Sequence, residues 1–548
     1  MKKYLLPLLL LAVVLLIPLL ALFHSGFPIT HDGQDHIARI ANFYLDLQNG
    51  IIIPRWAPNL NWGYGHPILE FLYPLPSYIA SFFHFLGFTL VDSTKILLGI
   101  GMFFSGITMY VWLSRFLSKK ASFLGAALYV IAPYRFVEVY VRGDIGENLA
   151  FVFIPLVLFF IYKISKKPSL MQASLGGISL ALLITAHNAI SLMALPIILL
   201  YMVYCYFLMV DKKVKKLFIY KSILLIVLGF GLAAFFWIPG LLEGKFTLRN
   251  IVTKGIYKDR FVSFSQLLYG PWSYGGTGLF TVQLGVINWI VSAISLVSLP
   301  FLFKKNKKAF WYVALFLIAI LAAIFIMLPS SNFIWAKVML LQNFQFPWRF
   351  LAITVFATAA LGAIALEVLP KKLQTVAFIT LFAATLFFNK DYWHAKGYIY
   401  KPQSFYTSIY EGTTDTGESA PIWSVRFMGE KPKAPAQIIE GKGTITLEKR
   451  SPYVHQYSLN NSTLVRILEN TLYFPGWRVL VDGVQVPVQF QDEQYRGLMT
   501  FMVPQGQHTV QVIFGESKLR VVSDVISVIS FIIIIAFFGL DIIKHKKK

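Results

Sequence analysis

The sequence is poor in charged residues and contains almost no cysteine. Charged residues make up 14% of its 548 residues and hydrophobic residues 57%, whereas about a quarter of the residues in soluble proteins are charged. This composition excludes a soluble globular protein and indicates a polytopic membrane protein. The single cysteine, Cys205, lies within an apolar run. A disulfide framework and a cysteine-based metal site are therefore excluded as well.

Motifs for several common activities are also missing. The sequence has no Walker loop, no GxGxxG, no zinc-binding motif, no Ser-His-Asp spacing and no evident internal repeat. The net charge of +23 would suggest nucleic acid binding in a soluble protein. Here, however, the lysines form short clusters between apolar runs, which is the signal that orients membrane proteins. We therefore expect the lipid bilayer as the protein's surroundings and no nucleic acid partner.

Twelve apolar runs are long enough to cross a hydrocarbon core of about 30 Å. They lie at 5–23, 95–117, 121–141, 148–164, 171–187, 190–210, 221–243, 286–303, 309–328, 350–369, 373–388 and 522–544. Residues 68–88 are ambiguous, because this apolar segment contains Glu70, two prolines and His84. If it does not cross, the lysine clusters between the runs all fall on one side, which is then the cytoplasm. We predict twelve spans in the plasma membrane, a retained first helix, both termini inside, and 68–88 as an interfacial or re-entrant helix.

A stretch after the first run, residues 28–73, carries the polar residues that most resemble a site. On a helix starting at Thr30, the polar positions recur at spacings of three and four and form one stripe: Asp32, Asp35, Arg39, Asn42 and Asp46, with His36 beside them. The opposite face is apolar, so the helix can lie along a membrane surface and present these groups to a cleft. The alternative is an ordinary amphipathic helix whose polar stripe faces water.

Other polar groups map to the same outer face. Arg142 and Glu147 suit either a mutual ion pair or a site, and the pair His187-Asn188 taken alone suits a capped turn between helices. The basic, aromatic loop 244–285 suits a phosphate headgroup or anionic lipid. Because all of these groups and the segment 345–349 share one face, we predict a functional site there.

Residues 389–520 differ in pattern from the rest of the chain. Short runs that alternate between apolar and polar residues, separated by turn signals such as Asp482-Gly483, indicate strands and hairpins. We predict three parts. These are a transmembrane domain at 1–388 with a first outer loop at 24–94, an outer β-rich domain at 389–520, and a final helix with a basic cytoplasmic tail at 521–548.

A series of motifs resembles one family along the whole chain. The motifs are His31-Asp32 to His36-Ile-Ala-Arg39, Pro54-Arg55-Trp56, Gly63-Tyr64-Gly65-His66-Pro67, Arg142-Gly143 with Glu147, His187-Asn188, Phe346-Pro347-Trp348-Arg349 and Tyr473-Phe474-Pro475-Gly476-Trp477-Arg478. In this order they resemble the bacterial 6-pyruvoyl-tetrahydropterin synthase-related membrane proteins, near the YfhO-like proteins. Those proteins are similar to GT-C glycosyltransferases, which use polyprenyl-phosphate-linked sugars and carry an acidic residue in the first outer loop. The resemblance does not imply pterin chemistry.

The resemblance implies a GT-C-like glycosyltransferase that moves a sugar from a polyprenyl-phosphate-linked donor to an envelope glycan or glycolipid on the outer face. We expect Asp32 as the general base, Asp35 as the second candidate and His36 as its orienting partner. The adjacent acidic pair of some GT-C enzymes is absent, because Asp32 and Asp35 are three residues apart.

The donor phosphate needs a guanidinium, and the candidates are, in order, Arg349, Arg142 and Arg55. The remaining pocket residues are expected to be Arg39, His66, Glu147, His187, Asn188 and Gln345. A divalent cation held by Asp32, Asp35, His36 and His66 is a further option, because the ligand types suit one but no spacing requires it.

Two other functions are compatible with a polytopic protein. A transporter or flippase of lipid-linked glycans would typically show broken segments at mid-membrane depth and internal symmetry. A non-catalytic scaffold presenting the β domain would not need the acidic stripe.

Overall fold

The computed structural model of the protein describes residues 2–276 and 279–546. These residues form a helical membrane domain and a β-sheet domain that precedes the last helix. The predicted domain limits at residues 1 and 548 and two residues of the loop 244–285 lie outside the described residues. The architecture is the predicted one, a helical polytopic membrane protein with a β domain near its C-terminus.

In the described part of the chain, eight helices are long and apolar enough to cross a bilayer. They are Leu90–Leu113, Ile145–Lys166, Asn188–Leu208, Val286–Lys305, Lys307–Met327, Pro347–Val368, Lys371–Asn389 and Lys518–Asp541, the last of which continues to Lys546. Two shorter apolar helices are Leu9–Phe23 and Leu170–Ala186. Together with two bent helix pairs, these helices correspond to the twelve predicted apolar runs. The number of twelve spans stays a prediction.

Both bent pairs interrupt runs that the sequence predicts to be continuous. Lys119–Val130 and Pro133–Arg142 meet at 49°, and Lys212–Leu232 and Ala234–Phe246 meet at 69°. The first bend follows from Pro133, which restricts the preceding Ala132 to an extended conformation (φ −105°, ψ 147°). Residues 137–142 follow this bend and stay buried, and the carbonyl oxygens of Val141 and Arg142 accept hydrogen bonds from the amides of His31 and Asp32.

The ambiguous segment 68–88 forms two short helices, Ile68–Phe71 and Pro74–Phe85. Twelve residues rise about 18 Å, which is less than a hydrocarbon core of about 30 Å. The segment therefore has the length of an interfacial helix. The other short helical segments are Asn61–Gly63, Arg249–Val252, Ile256–Arg260, Phe264–Leu268, Pro329–Ser331, Asn332–Lys337, Met339–Gln342 and Gln403–Thr407.

The helix of the first outer loop is Gly33–Gln48, and both of its faces are covered. Ile37 and Ile40 are fully buried, as expected for the apolar face. The polar stripe is buried too: Arg39 is 6% exposed and Asp46 is 0% exposed. The alternative of a polar stripe facing water is therefore wrong for this part of the helix.

The β domain contains two antiparallel sheets. A five-stranded sheet has the order β4 (Gly443–Arg450), β5 (Val454–Asn461), β10 (Gly506–Phe514), β7 (Trp477–Val481) and β8 (Val484–Val486). A three-stranded sheet has the order β3 (Ala436–Glu440), β6 (Val465–Leu472) and β9 (Leu498–Val503). A further pair joins β1 (Phe27–Pro28) to β2 (Tyr398–Ile399).

One predicted turn explains a hairpin of this domain directly. Asp482 and Gly483 have φ values of 49° and 82°, and they connect β7 to β8 as a two-residue turn. The predicted β region 389–520 is broader than the sheets, whose β3–β10 strands occupy 436–514. Residues 400–435 have little regular structure, and part of this segment returns to the helix Gly33–Gln48.

The orientation of the membrane domain can be checked by cysteine labelling in a Cys205→Ser background. Because lysine-rich loops remain in the cytoplasm, single cysteines should be labelled from outside at residues 90 and 250 and from inside at residues 118, 214 and 306. Labelling of residue 118 from outside would mean that the segment 68–88 crosses the membrane.

Candidate functional site

Arg142 is the centre of a buried ion-pair cluster at the C-terminal end of a bent span. Its Nη1 donates to Glu138 Oε1 at 2.6 Å and to Glu147 Oε2 at 2.8 Å, and its Nη2 donates to Asp144 Oδ2 at 2.7 Å. The side chains of all four residues are at most 4% exposed. Tyr134 donates to the second oxygen of Glu147 at 2.6 Å. The predicted Arg142–Glu147 pair is thus present, but Arg142 has three carboxylate partners.

Local backbone geometry brings this cluster against the first outer loop. Gly143 adopts a left-handed conformation (φ 70°), and a Cβ there would lie 2.5 Å from Thr30 Oγ1. A larger residue is excluded by this contact as well as by the backbone angle. Asp144 then caps the next helix by accepting hydrogen bonds from the amides of Gly146 and Glu147.

Asp32 lies beside this cluster at the start of the helix Gly33–Gln48. Its amide donates to the carbonyl oxygen of Arg142 at 2.9 Å. Although it occupies the N-cap position, its side chain makes no capping hydrogen bond. Burial raises the pKa of Asp32, Arg142 opposes this rise and Asp144 adds to it. The carboxyl group of Asp32 is therefore not committed to helix capping.

Residues 410–418, which we name the covering segment, pack on the polar stripe of the same helix. Arg39 donates from Nε to Thr414 Oγ1 at 3.3 Å and also to the carbonyl oxygen of Thr414. Tyr410 donates to Asp35 Oδ1 at 2.7 Å. Burial raises the pKa of Asp35, and the hydrogen bond from Tyr410 partly offsets this. Asp35 is therefore held in place by the covering segment.

Two imidazoles border the cluster. His36 Nδ1 lies 2.9 Å from Arg39 Nη1, and its buried Nε2 has no hydrogen-bond partner among the described residues. His187 Nδ1 accepts from the amide of Ile190 at 3.1 Å, which confirms the capping interpretation for this residue. Burial lowers the pKa of His36 to about 3. The His36 ring is therefore uncharged at neutral pH.

In the part of the chain that the structure describes, one group of side chains has the spacing of a metal site. Asp144, Glu147 and His187 offer ligand atoms that all lie within 4.8 Å of one another. The predicted set of Asp32, Asp35, His36 and His66 is not assembled, because His66 pairs instead with Asp415 at 3.5 Å. The sequence-based choice of cation ligands was wrong.

A cavity of 420 Å³ opens beside the cluster. Its apolar walls come mainly from four helices, with Leu180, Ile184, Leu192, Phe230, Phe236, Trp237 and Leu241 among the lining residues. Leu192 and Leu241 are also exposed on the helix surface, so the cavity opens towards the bilayer. Its polar end is lined by His187, Asn188, Arg249, Gln345, Arg349 and Glu418.

Arg349 connects the cavity to the cluster. Its Nε lies 3.8 Å from Glu147 Oε2, and its Nη1 donates to the carbonyl oxygen of Phe344 at 2.8 Å. Its side chain is 15% exposed, in contrast to 3% for Arg142. The neighbouring Gln345 donates to Glu418 Oε1 at 3.3 Å. Arg349 therefore keeps hydrogen-bonding capacity towards the cavity.

Arg55, the third predicted phosphate ligand, lies elsewhere. Its guanidinium pairs with Glu516 and Asp524, each at 2.9 Å, and donates to the carbonyl oxygen of Phe235 at 3.2 Å. These contacts join the first outer loop to the start of the last helix. The assignment of Arg55 to the phosphate was wrong, because a sequence cannot show that its charge is already paired.

Several residues of this region were not predicted as site residues. Asp144 and Glu138 complete the cluster, and Arg249, which was considered only as part of the basic loop 244–285, lines the cavity. Asp144 had a usable sequence signal, since it follows a glycine, Gly143, and precedes an apolar run. Tyr410 and Glu418 of the covering segment had no comparable signal, because they lie in a region predicted to be a separate domain.

The chain was compared with known proteins. A family model described as the 6-pyruvoyl-tetrahydropterin synthase related domain, a membrane protein, matches residues 69–393. An uncharacterized protein of Lactococcus lactis subsp. cremoris (strain MG1363) is 28% identical over 254 residues, which cover 44% of this chain and 40% of that protein. The match therefore spans less than half of the relative's length.

Similar solved structures include the arabinofuranosyltransferase AftD from Mycobacteria (13% identity, TM-score 0.47, 71% of this chain and 28% of that chain). They also include the Archaeoglobus fulgidus oligosaccharyltransferase (12%, 0.44, 77% and 61%) and ArnT from Cupriavidus metallidurans bound to undecaprenyl phosphate (12%, 0.31, 67% and 78%). TM-scores below 0.5 establish neither a shared fold nor a shared activity. The family match covers more than half of the chain, and the protein belongs to the 6-pyruvoyl-tetrahydropterin synthase related family of membrane proteins.

Proposed function

We propose that the protein is a membrane glycosyltransferase that transfers a sugar from a polyprenyl-phosphate-linked donor to an envelope glycan or glycolipid acceptor on the outer face. One observation carries the proposal: a cavity that is apolar towards the bilayer ends at Arg349, beside a buried acidic cluster. A polyprenyl chain suits the apolar walls, and its phosphate suits the polar end.

The two arginines of the region differ in what they can bind. Arg142 already donates to three carboxylates, so it has little capacity for a phosphate. Arg349 lines the cavity, and its contact with Glu147 is a long one of 3.8 Å. Arg249 lies at the same end of the cavity and donates to the carbonyl oxygen of Gly240 at 2.9 Å. We therefore assign Arg349 as the main phosphate ligand, with Arg249 in support.

The reaction requires one proton transfer and stabilisation of one leaving group. The acceptor hydroxyl passes its proton to the Asp32 carboxylate while its oxygen forms a bond to the anomeric carbon. The bond from that carbon to the phosphate oxygen breaks, and the phosphate leaves with the electron pair. The guanidinium of Arg349 stabilises the developing charge. Because burial raises the pKa of Asp32, its carboxylate is a stronger base than an exposed aspartate.

Asp144, Glu147 and His187 have ligand types that suit a divalent cation. Arg142 pairs with both carboxylates of this group, although its single positive charge does not balance their two negative charges. The proposed proton transfer and charge stabilisation use Asp32 and Arg349 and do not require a cation. Transfer assayed with and without EDTA decides whether a cation takes part.

Arg349→Gln should weaken binding of undecaprenyl phosphate to the purified full-length protein by about 10- to 100-fold, because a charge-assisted hydrogen bond contributes about 1.5–3 kcal/mol. Binding can be measured by native mass spectrometry of the protein in detergent. Lys245→Gln is the matched control, since Lys245 is an exposed cation of the neighbouring loop and does not line the cavity. Equal affinities in the wild type and Arg349→Gln would contradict the donor site.

The two bent spans keep a flippase of lipid-linked glycans as the second candidate, because broken helices are typical of transporters. The candidates differ in their products. A glycosyltransferase changes the glycan composition of the envelope, whereas a flippase changes only the leaflet in which the lipid-linked glycan is found. Glycan analysis of a deletion strain, together with a translocation assay in proteoliposomes, separates the two.

A further inference from the structure

A second cavity lies at the opposite, lysine-rich end of the membrane domain. It has a volume of 480 Å³ and lies among the ends of the helices Ile145–Lys166, Asn188–Leu208, Lys307–Met327 and Pro347–Val368. The distribution of lysines predicts that this end faces the cytoplasm. None of the residues of the proposed transferase site lines this cavity.

The mouth of this cavity is basic. Lys166 and Lys308 both line it and are exposed, and in the described part of the chain neither has a carboxylate within ion-pair distance. Lys166 lies over the ring of Tyr162, with Nζ 5.2 Å from the ring centre. The one acidic lining residue, Glu367, accepts a hydrogen bond from the amide of Ser118 at 2.8 Å. Two cations are therefore available to an anionic ligand.

The interior of the cavity has an unused hydrogen-bonding group. Tyr312 is 2% exposed and lines the cavity, and its hydroxyl has no hydrogen-bond partner among the described residues. A buried hydroxyl without a partner is costly, so such a group marks a position where a ligand atom can bind. The neighbouring Tyr204 hydroxyl donates to the carbonyl oxygen of Lys308 at 3.3 Å.

Apolar residues form part of the remaining wall, together with polar residues such as Ser165 and Asn306. Leu208 and Val368 line the cavity, as does Phe301, which is 54% exposed. A ligand in this position can keep its polar end between the lysines and extend an apolar part into the bilayer. A soluble anion could bind to the lysines, but it has no apolar part that would contact Phe301 or the bilayer.

We propose that this cavity binds the headgroup of an anionic glycerophospholipid from the lysine-rich leaflet, with its phosphate between Lys166 and Lys308. Basic pockets between membrane helices on the cytoplasmic side are typical sites for such headgroups. The Tyr312 hydroxyl then donates to a headgroup oxygen, and the acyl chains leave along Phe301. The site is separate from the proposed transferase activity.

The test is lipid binding to the purified full-length protein by native mass spectrometry. Phosphatidylglycerol should bind more tightly than phosphatidylcholine with the same acyl chains. The double variant Lys166→Gln/Lys308→Gln should lose up to about 30-fold in phosphatidylglycerol affinity, because each lysine near a lipid headgroup contributes about 5-fold. Lys167→Gln/Lys304→Gln is the matched control, since these exposed lysines belong to the same clusters but do not line the cavity; it should retain affinity.

Two further arms separate the sources of a phosphate group. Soluble glycerol phosphate and inorganic phosphate at millimolar concentration should not displace phosphatidylglycerol from the wild type. Displacement would assign the site to a soluble anion and overturn the proposal. Equal losses in the two double variants would show that only the net charge matters, which would overturn it as well.

Discussion

Asp32→Asn is expected to lower sugar transfer by about 10²- to 10⁴-fold, the usual loss when a general base is removed. The amide keeps the size of the side chain but cannot take the proton of the acceptor hydroxyl. The structure removes the main alternative explanation, because the Asp32 side chain makes no capping hydrogen bond that the substitution could disturb. Expression and membrane insertion should therefore stay near those of the wild type. Transfer is measured in membranes that contain the labelled donor lipid.

The matched control is Asp35→Asn, since Asp35 is on the same helix and is also acidic. Asp35 is held by the Tyr410 hydroxyl at 2.7 Å, so its replacement should cost less than that of Asp32. A large loss in Asp35→Asn alone would exchange the two roles. Retained transfer in Asp32→Asn would show that the base lies elsewhere in the cluster.

The pH dependence gives a second measure of the same base. Burial raises the pKa of Asp32 above its usual 3.8, so the carboxylate is protonated at a higher pH than an exposed aspartate. Transfer needs the ionised form. The rate should therefore fall as the pH decreases through this raised pKa and should be constant well above it.

Arg142→Gln is expected to destabilise the protein by about 3–5 kcal/mol, because it leaves three buried carboxylates without their counter-charge. The loss should appear as a lower thermal unfolding temperature and a smaller monodisperse fraction in detergent. Arg349→Gln is the control. Its side chain is partly exposed and its ion pair is long, so the unfolding temperature should change little.

A second substitution tests the physical reason for this loss. In Arg142→Gln/Glu138→Gln one of the uncompensated carboxylates is gone, so part of the stability should return. Glu138 is the suitable partner because its other oxygen, Oε2, has no hydrogen-bond partner among the described residues. If the double variant is less stable than Arg142→Gln, unpaired charge is not the cause of the stability lost in Arg142→Gln.

The sequence predicted the parts of the fold that depend on local patterns. Alternating residues located the strands of the β domain, and Asp482-Gly483 located a hairpin turn, because each pattern is specific to its backbone geometry. Apolar length located the membrane helices but not their bends. The first bend is caused by one residue, Ala132, whose backbone is restricted by Pro133. The apolar run around this residue is otherwise uniform, so its length does not reveal the bend.

The site was predicted only in part, because residue type does not identify a partner. Asp32, Arg142, Glu147, His187 and Arg349 do lie in one region, in agreement with the prediction that they share one face of the membrane. Arg55 and His66 have the same chemistry, but each is paired with carboxylates that come much later in the chain. The covering segment was missed for a similar reason, since its contacts join residues 375 positions apart.

That separation has a consequence for how the protein is made. Ribosomes add about 5–20 residues per second, so the helix Gly33–Gln48 is synthesised about 20–75 s before Thr414 can contact Arg39. During this interval the buried arginine and the carboxylates of its helix have no cover from the later segment. A nascent chain released before the covering segment would have most of its membrane helices but an open polar groove. Quality control that recognises exposed polar groups at the membrane surface would therefore discriminate complete from incomplete copies at this site.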